Sequence, residues 1–170
     1  MGREAVQVEI EPEMEAFLHS GCALVVGLAS ITGEPYAARG WGVTVLDGAG
    51  DDAAPLRLRL LLDSTEEAAA ELIGPGCEVA LTATDVRTVR SVQFKGRATG
   101  LVDVTEADQD RADAYCDDFF ADVVTVDNTP RELVERMRPT RVMACTVELH
   151  ELFDQTPGPG AGSCLRSGTP

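Results

Sequence analysis

Hydrophobic and polar positions fall into two alternating periods along this chain. Behind Pro12, a residue suited to a first helical turn, Met14, Phe17 and Leu18 recur at helical spacing until Ser20-Gly21. CALVVGLASI, residues 22–31, is then a nearly continuous apolar run of strand length. Thr32-Gly33-Glu34-Pro35 is a turn signal, and YAARGWGVTVL, residues 36–46, is a second strand, so the two predict a hairpin. Residues 47–55 read as a loop, and LRLRLLLD, residues 56–63, as a third strand with Arg57 and Arg59 on one face. Ser64 and Glu67 form an S-x-x-E capping signal for a helix running to Ile73, which Gly74-Pro75-Gly76 ends.

The second half repeats the theme. CEVALTATD, residues 77–85, predicts a fourth strand, and a fifth spans about residues 89–104. On the fifth, Ser91, Gln93, Lys95 and Arg97 share one face, and Val92, Phe94, Gly96 and Ala98 the other. An acidic helix anchored by Tyr115, Phe119 and Phe120 covers roughly 106–120. Thr129, Pro130 and Glu132 then cap another helix, which Pro139 stops. TRVMACTVEL, residues 140–149, is a sixth strand, and the Pro/Gly-rich tail, residues 154–170, is expected to form no regular element. Six strands in mostly hairpin order predict an antiparallel sheet, closed or partly closed into a barrel within one domain over residues 1–153.

Charge narrows the partners. With 29 acidic against 14 basic residues, the chain carries a formal −15 and repels nucleic acid and anionic membrane. An anionic ligand therefore needs a local group of arginines and Lys95, the only lysine. No apolar run reaches membrane-span length and the start lacks the order of a signal peptide, so the expected setting is the cytoplasm. Five scattered cysteines and two distant histidines suggest neither a metal site nor a disulfide framework, and Cys22 and Cys145 read as packing residues. Walker, G-x-G-x-x-G and G-x-S-x-G motifs do not occur.

The order of apolar first strand, TGEPYAARGW, third strand with helix, and SVQFKGRA resembles the FMN-binding split-barrel family related to pyridoxamine 5'-phosphate oxidase, over residues 12–153. The resemblance implies a mainly β (α+β) fold, a six-stranded antiparallel Greek-key split barrel with flanking short helices. It also implies a homodimer with FMN at the subunit interface, acting as an oxidoreductase that passes hydride to a small-molecule substrate. Alternatives within the group are a non-catalytic barrel binding flavin, deazaflavin or haem, and a dimer without cofactor. The implied cofactor-binding positions are Arg39 with Gly40 and Trp41 on the second strand, and Leu62, Asp63, Ser64 and Thr65 where the third strand meets its helix. Gln93, Lys95 and Arg97 on the fifth strand complete the set, and no side chain is assigned a catalytic role. Asp63, Glu66 and Glu67 stand where the oxidase proper has basic residues, which argues against pyridoxamine phosphate as substrate.

Overall fold

The computed structural model describes residues 10–46 and 56–167; the loop expected over 47–55 lies outside the described residues. A short helix α1 (Pro12–His19) leads into the hairpin of β1 (Ala23–Ala29) and β2 (Pro35–Leu46), and β3 (Arg57–Asp63) follows. Helix α2 (Glu67–Leu72) carries the chain to β4 (Glu78–Thr84) and β5 (Ser91–Val102). Helices α3 (Glu106–Asp127) and α4 (Arg131–Val134), with one 3-10 turn, precede β6 (Val142–Asp154) and β7 (Cys164–Ser167).

Every strand pairing is antiparallel, in the order β3-β2-β1-β4-β5-β6-β7. Pairing of β3 with β6, from Arg57 opposite Glu148 to Asp63 opposite Val142, closes the first six strands into a barrel. Strand β4 returns beside β1 after the β1–β3 meander, which is the Greek-key step expected from the sequence. Leu24, Val26, Leu60, Leu62, Leu81 and Phe94 fill the barrel interior, each almost fully buried. Gly96 stands at a register shift between β5 and β6, where an added Cβ would lie 2.2 Å from the Glu148 carbonyl oxygen. No side chain larger than hydrogen fits there.

Three expectations are corrected. The tail does form a regular element: β6 runs past residue 149 to Asp154, and β7 pairs with its end, Glu151 opposite Ser167 and Phe153 opposite Cys164. Thr156 and Gln155 pin the intervening turn to Ser91, through Ser91 N–H to Thr156 Oγ1 at 3.1 Å and Gln155 N–H to the Ser91 carbonyl at 2.8 Å. The capping signals at Ser64 and Thr129 are not used. Helix α2 is capped at Glu66 and α4 at Pro130, without side-chain bonds, because each helix starts later than its signal. Helix α3 is longer than predicted and carries a reciprocal cap of its own, Thr105 with Asp108, ending at Asn128 in the left-handed region, φ 53°.

Candidate functional site

Alternation along β2 sends Ala38 and Gly40 into the barrel and Arg39 and Trp41 outward. An added Cβ at Gly40 would meet Leu24 Cβ at 2.8 Å, so this glycine lets β1 and β2 close over the core. Outside the barrel, α3 lies across β2 and β3 and buries Trp41 and Leu61. Trp41 packs edge-on against Tyr115 at 6.4 Å and Phe120 at 6.3 Å, an anchor for the helix. Leu62 points into the core at 0% exposure, so its side chain cannot line a site on the surface.

Arg39 stands where the cover of α3 ends. Its guanidinium carbon lies 4.4 Å from the Phe119 ring centroid and 5.1 Å from that of Trp41. Stacking on two rings fixes the planar group. Among the described residues no carboxylate pairs with it, and its Nε is buried without a hydrogen-bond partner.

Beyond Arg39, among the described residues, α2 reaches β1 and β2 and no helix packs extensively on β4 or β5. Register places Arg39, Val25, Thr82, Gln93 and Phe153 in one row across five strands. The neighbouring row reads Ala37, Gly27, Ala80, Lys95 and Glu151. The middle of this face is therefore small and apolar, with Val25 57% exposed at its centre. Arg39 and Gln93 bound it from opposite sides, three strand spacings or about 14 Å apart. On β5, Gln93 Nε2 donates to Thr82 Oγ1 at 3.0 Å, and Arg97 pairs with Glu78 across the strands at 2.7 Å. The Lys95 ammonium sits 4.5 Å from the Phe153 ring centroid. The three residues share a face as predicted, but only Lys95 lacks a polar partner among the described side chains.

The turn after β3 is differently occupied. Thr65 N–H and Oγ1 both donate to Asp63 Oδ1, at 2.9 and 2.8 Å. Ser64 N–H goes to the Arg141 carbonyl, Glu66 N–H to that of Asp63 and Glu67 N–H to that of Thr65. All the amides of residues 64–67 are thus engaged, and none is left to receive a phosphate in this arrangement. Tyr36 Oη reinforces the turn by donating to Glu66 Oε2 at 2.5 Å.

Sequence reasoning missed a second polar group, at the junction of α1, β2 and α3. Arg111, Tyr115 and Phe119 recur at i, i+4 and i+8 on α3, a spacing that puts an arginine on the helix's apolar side and could have identified it. Arg111 Nε donates to the Val43 carbonyl at 3.2 Å, and its Nη2 is buried without a partner. The Tyr115 hydroxyl, fully buried beside the Leu24 backbone and the Arg39 side chain, and His19 Nε2 likewise make no hydrogen bond of good geometry. Burial pushes the tyrosine well above its usual range and lowers His19, which the nearby Arg111 charge lowers further. Gly21 permits the close approach, since a Cβ there would lie 2.4 Å from the Phe119 amide nitrogen.

Among the described residues no cluster of His, Cys, Asp or Glu could hold a metal ion, and no helix is long and apolar enough to cross a membrane. Neither a family model nor a curated protein matches this sequence. Solved structures do match. HupZ of Group A Streptococcus aligns at 11% identity over 91% of this chain and 100% of that one, with a TM-score of 0.48. A proposed pyridoxamine 5'-phosphate oxidase from Lactobacillus delbrueckii aligns at 16% identity over 89% of this chain and 99% of its own, TM-score 0.49. A pyridoxamine 5'-phosphate oxidase-related, FMN binding protein from Nostoc punctiforme aligns at 14% identity over 90% and 89%, TM-score 0.43. At such identities the likeness is one of chain path, and this chain is similar in fold to these proteins.

Proposed function

We propose that two copies of this chain pair through the middle of the outer β1–β4 face and hold FMN at the joint, as a hydride-transferring flavoprotein acting on a small molecule. One observation carries the reading. The Arg39 guanidinium, fixed on Phe119 and Trp41 and free of any carboxylate among the described residues, borders a flat face of small side chains. That face is convex on a single barrel and cannot enclose a planar ligand by itself; a second copy supplies the opposite wall. Arg39 is the anchor for a phosphate, whose oxygens a guanidinium receives in pairs. Lys95 and Gln93 are the donors for the polar edge of the ring. Gly40 and Trp41 act behind Arg39, holding strand and helix in place. Flavin, when bound, supplies the hydride chemistry, so no protein acid or base is demanded.

The absorption spectrum of the purified full chain, before and after adding FMN, tests this. The visible bands of oxidised flavin, with saturable binding weakened in Arg39→Ala, are the expected result. A protein that stays colourless and leaves added FMN free overturns the flavin reading. A Soret band instead would assign the face to haem.

A further inference from the structure

The junction of α1, β2 and α3 has features that the flavin reading leaves unexplained. Six arginines of the described chain form ion pairs with carboxylates: Arg59, Arg87, Arg90, Arg97, Arg131 and Arg138. In a chain with twice as many acids as bases, Arg39 and Arg111 form none; Arg57, Arg136 and Arg141 form none either, but among these five only Arg39 and Arg111 hold a buried side-chain nitrogen without a partner. The buried side-chain polar atoms without partners, among the described residues, are His19 Nε2, Arg39 Nε, Arg111 Nη2 and the Tyr115 hydroxyl, and all belong to this one junction. Tyr115 links them, stacked on Phe119 at 5.7 Å while Arg39 lies over the same Phe119 ring.

Stranding a buried donor costs about 1–3 kcal/mol, and more when it is charged, so a group of them in one place points to a missing acceptor. The Arg39 and Arg111 atoms can only donate. The Tyr115 phenol, held protonated by burial, donates as well. Asp118 acts on Arg111 and Glu15 on His19, but neither forms an ion pair with them. Two positive charges, a hydroxyl donor and aromatic walls make a receptor for negative charge, and the half-buried edges of His19, Arg39 and Arg111 leave it a way in.

We propose that the α1–β2–α3 junction is a binding pocket for a single oxyanion, a phosphate or carboxylate group, received by Arg111, Arg39 and the Tyr115 hydroxyl with His19 at its mouth. The anion is either free or the terminal group of a larger ligand such as the flavin phosphate. The pocket itself does not depend on flavin being bound.

Inorganic phosphate is the probe, titrated into the flavin-free full chain by calorimetry and by thermal unfolding, with chloride at matched ionic strength as control. Saturable binding that raises the melting temperature is expected, because an anion bound only by the folded state stabilises it. Tyr115→Phe, which removes one oxygen and preserves the stacking, should weaken phosphate about tenfold and leave the phosphate-free protein as stable or more so. Arg111→Met should weaken it at least as much, with circular dichroism confirming the fold. Phosphate and chloride giving the same response, or equal phosphate affinity in wild type and both variants, would overturn the proposal even if FMN binds elsewhere. Where FMN does bind, its displacement by phosphate identifies the cofactor's phosphate as the occupant. Simultaneous binding of both identifies a free anion.

Discussion

Arg59 on β3 grips Asp108 in the first turn of α3 through two hydrogen bonds, Nε to Oδ1 and Nη2 to Oδ2, each 2.6 Å. The same carboxylate accepts from Thr105 N–H at 2.7 Å, so one buried acid both caps the helix and ties it to the barrel. The Arg59 hydrogen bonds hold Asp108 down to about 2, below the ordinary 3.8. A lowered folded-state pKa means that its contribution is complete above about pH 4 and is lost as pH falls toward 2. Asp108→Asn should cost about 3 kcal/mol at neutral pH, because it leaves Arg59 partly buried and unpaired. Urea unfolding of wild type and variant should show that gap closing as the pH drops through this window. A gap independent of pH would place the loss in packing instead.

Two glycines, one on β5 and one on β1, should answer oppositely to alanine. At Gly96 the new methyl would meet the Glu148 carbonyl at 2.2 Å, against rigid backbone. Gly96→Ala should destabilise by about 3 kcal/mol or more. At Gly27 the nearest atoms, in Ala80, stand 3.8 Å away, and Gly27→Ala should change the stability of the isolated subunit by less than about 0.5 kcal/mol. Thermal denaturation of both variants checks the contrast.

The β1–β4 face predicts a dimer with a specific weak point. Val25→Asp puts a charge at the centre of the face, 57% exposed in the single chain. Burying an unpaired charge in an interface is strongly unfavourable. Light scattering should give twice 18.1 kDa for wild type and 18.1 kDa for the variant, with an unchanged circular dichroism spectrum. A wild-type mass of 18.1 kDa would refute the pairing.

Lys95 should matter little to folding. Its contact with Phe153, 4.5 Å from ring centroid to ammonium, is worth about 0.5–1 kcal/mol at a partly exposed site. Lys95→Ala should therefore lower stability by no more than that. The same variant should weaken FMN if Lys95 faces the ring edge, and an unchanged flavin affinity would leave the lysine a purely structural contact.

Buried thiols should be inert. Burial raises Cys22 and Cys116 to about 11 and Cys145 to about 12, so almost no reactive thiolate exists at neutral pH. Labelling with a disulfide reagent should reach these three only at the rate of unfolding, accelerating in urea. Fast labelling of Cys145 in the native state would contradict its buried place on β6, opposite Leu60 of β3.

The barrel was legible in the sequence because each strand buries one face, and period-two alternation of apolar residues records that face directly. Gly96 was legible for a similar reason, as a glycine interrupting the inward row of β5. The Arg59–Asp108 pair was not, since 49 residues separate them and an arginine on an alternating strand reads equally well as a solvent edge. Neither was the strand in the tail. Its sequence is poor in β-formers, and β7 forms because β6 outruns β3 and presents an open edge.

By itself, then, the sequence determined the strands, their inward faces and the antiparallel connectivity, all of which follow from local periodicity and short turns. Only the tertiary structure decided which outward residues are covered. It laid α3 over β2 and β3, enclosing Trp41 and most of Arg59, and among the described residues left the middle of β1 and β4 without a covering helix. It also turned the amides of residues 64–67 onto partners within the protein and gathered the unpaired buried atoms of His19, Arg39, Arg111 and Tyr115 at one junction. The physical reason is that alternation says which side of a strand is outside, while cover depends on where a distant helix comes to rest.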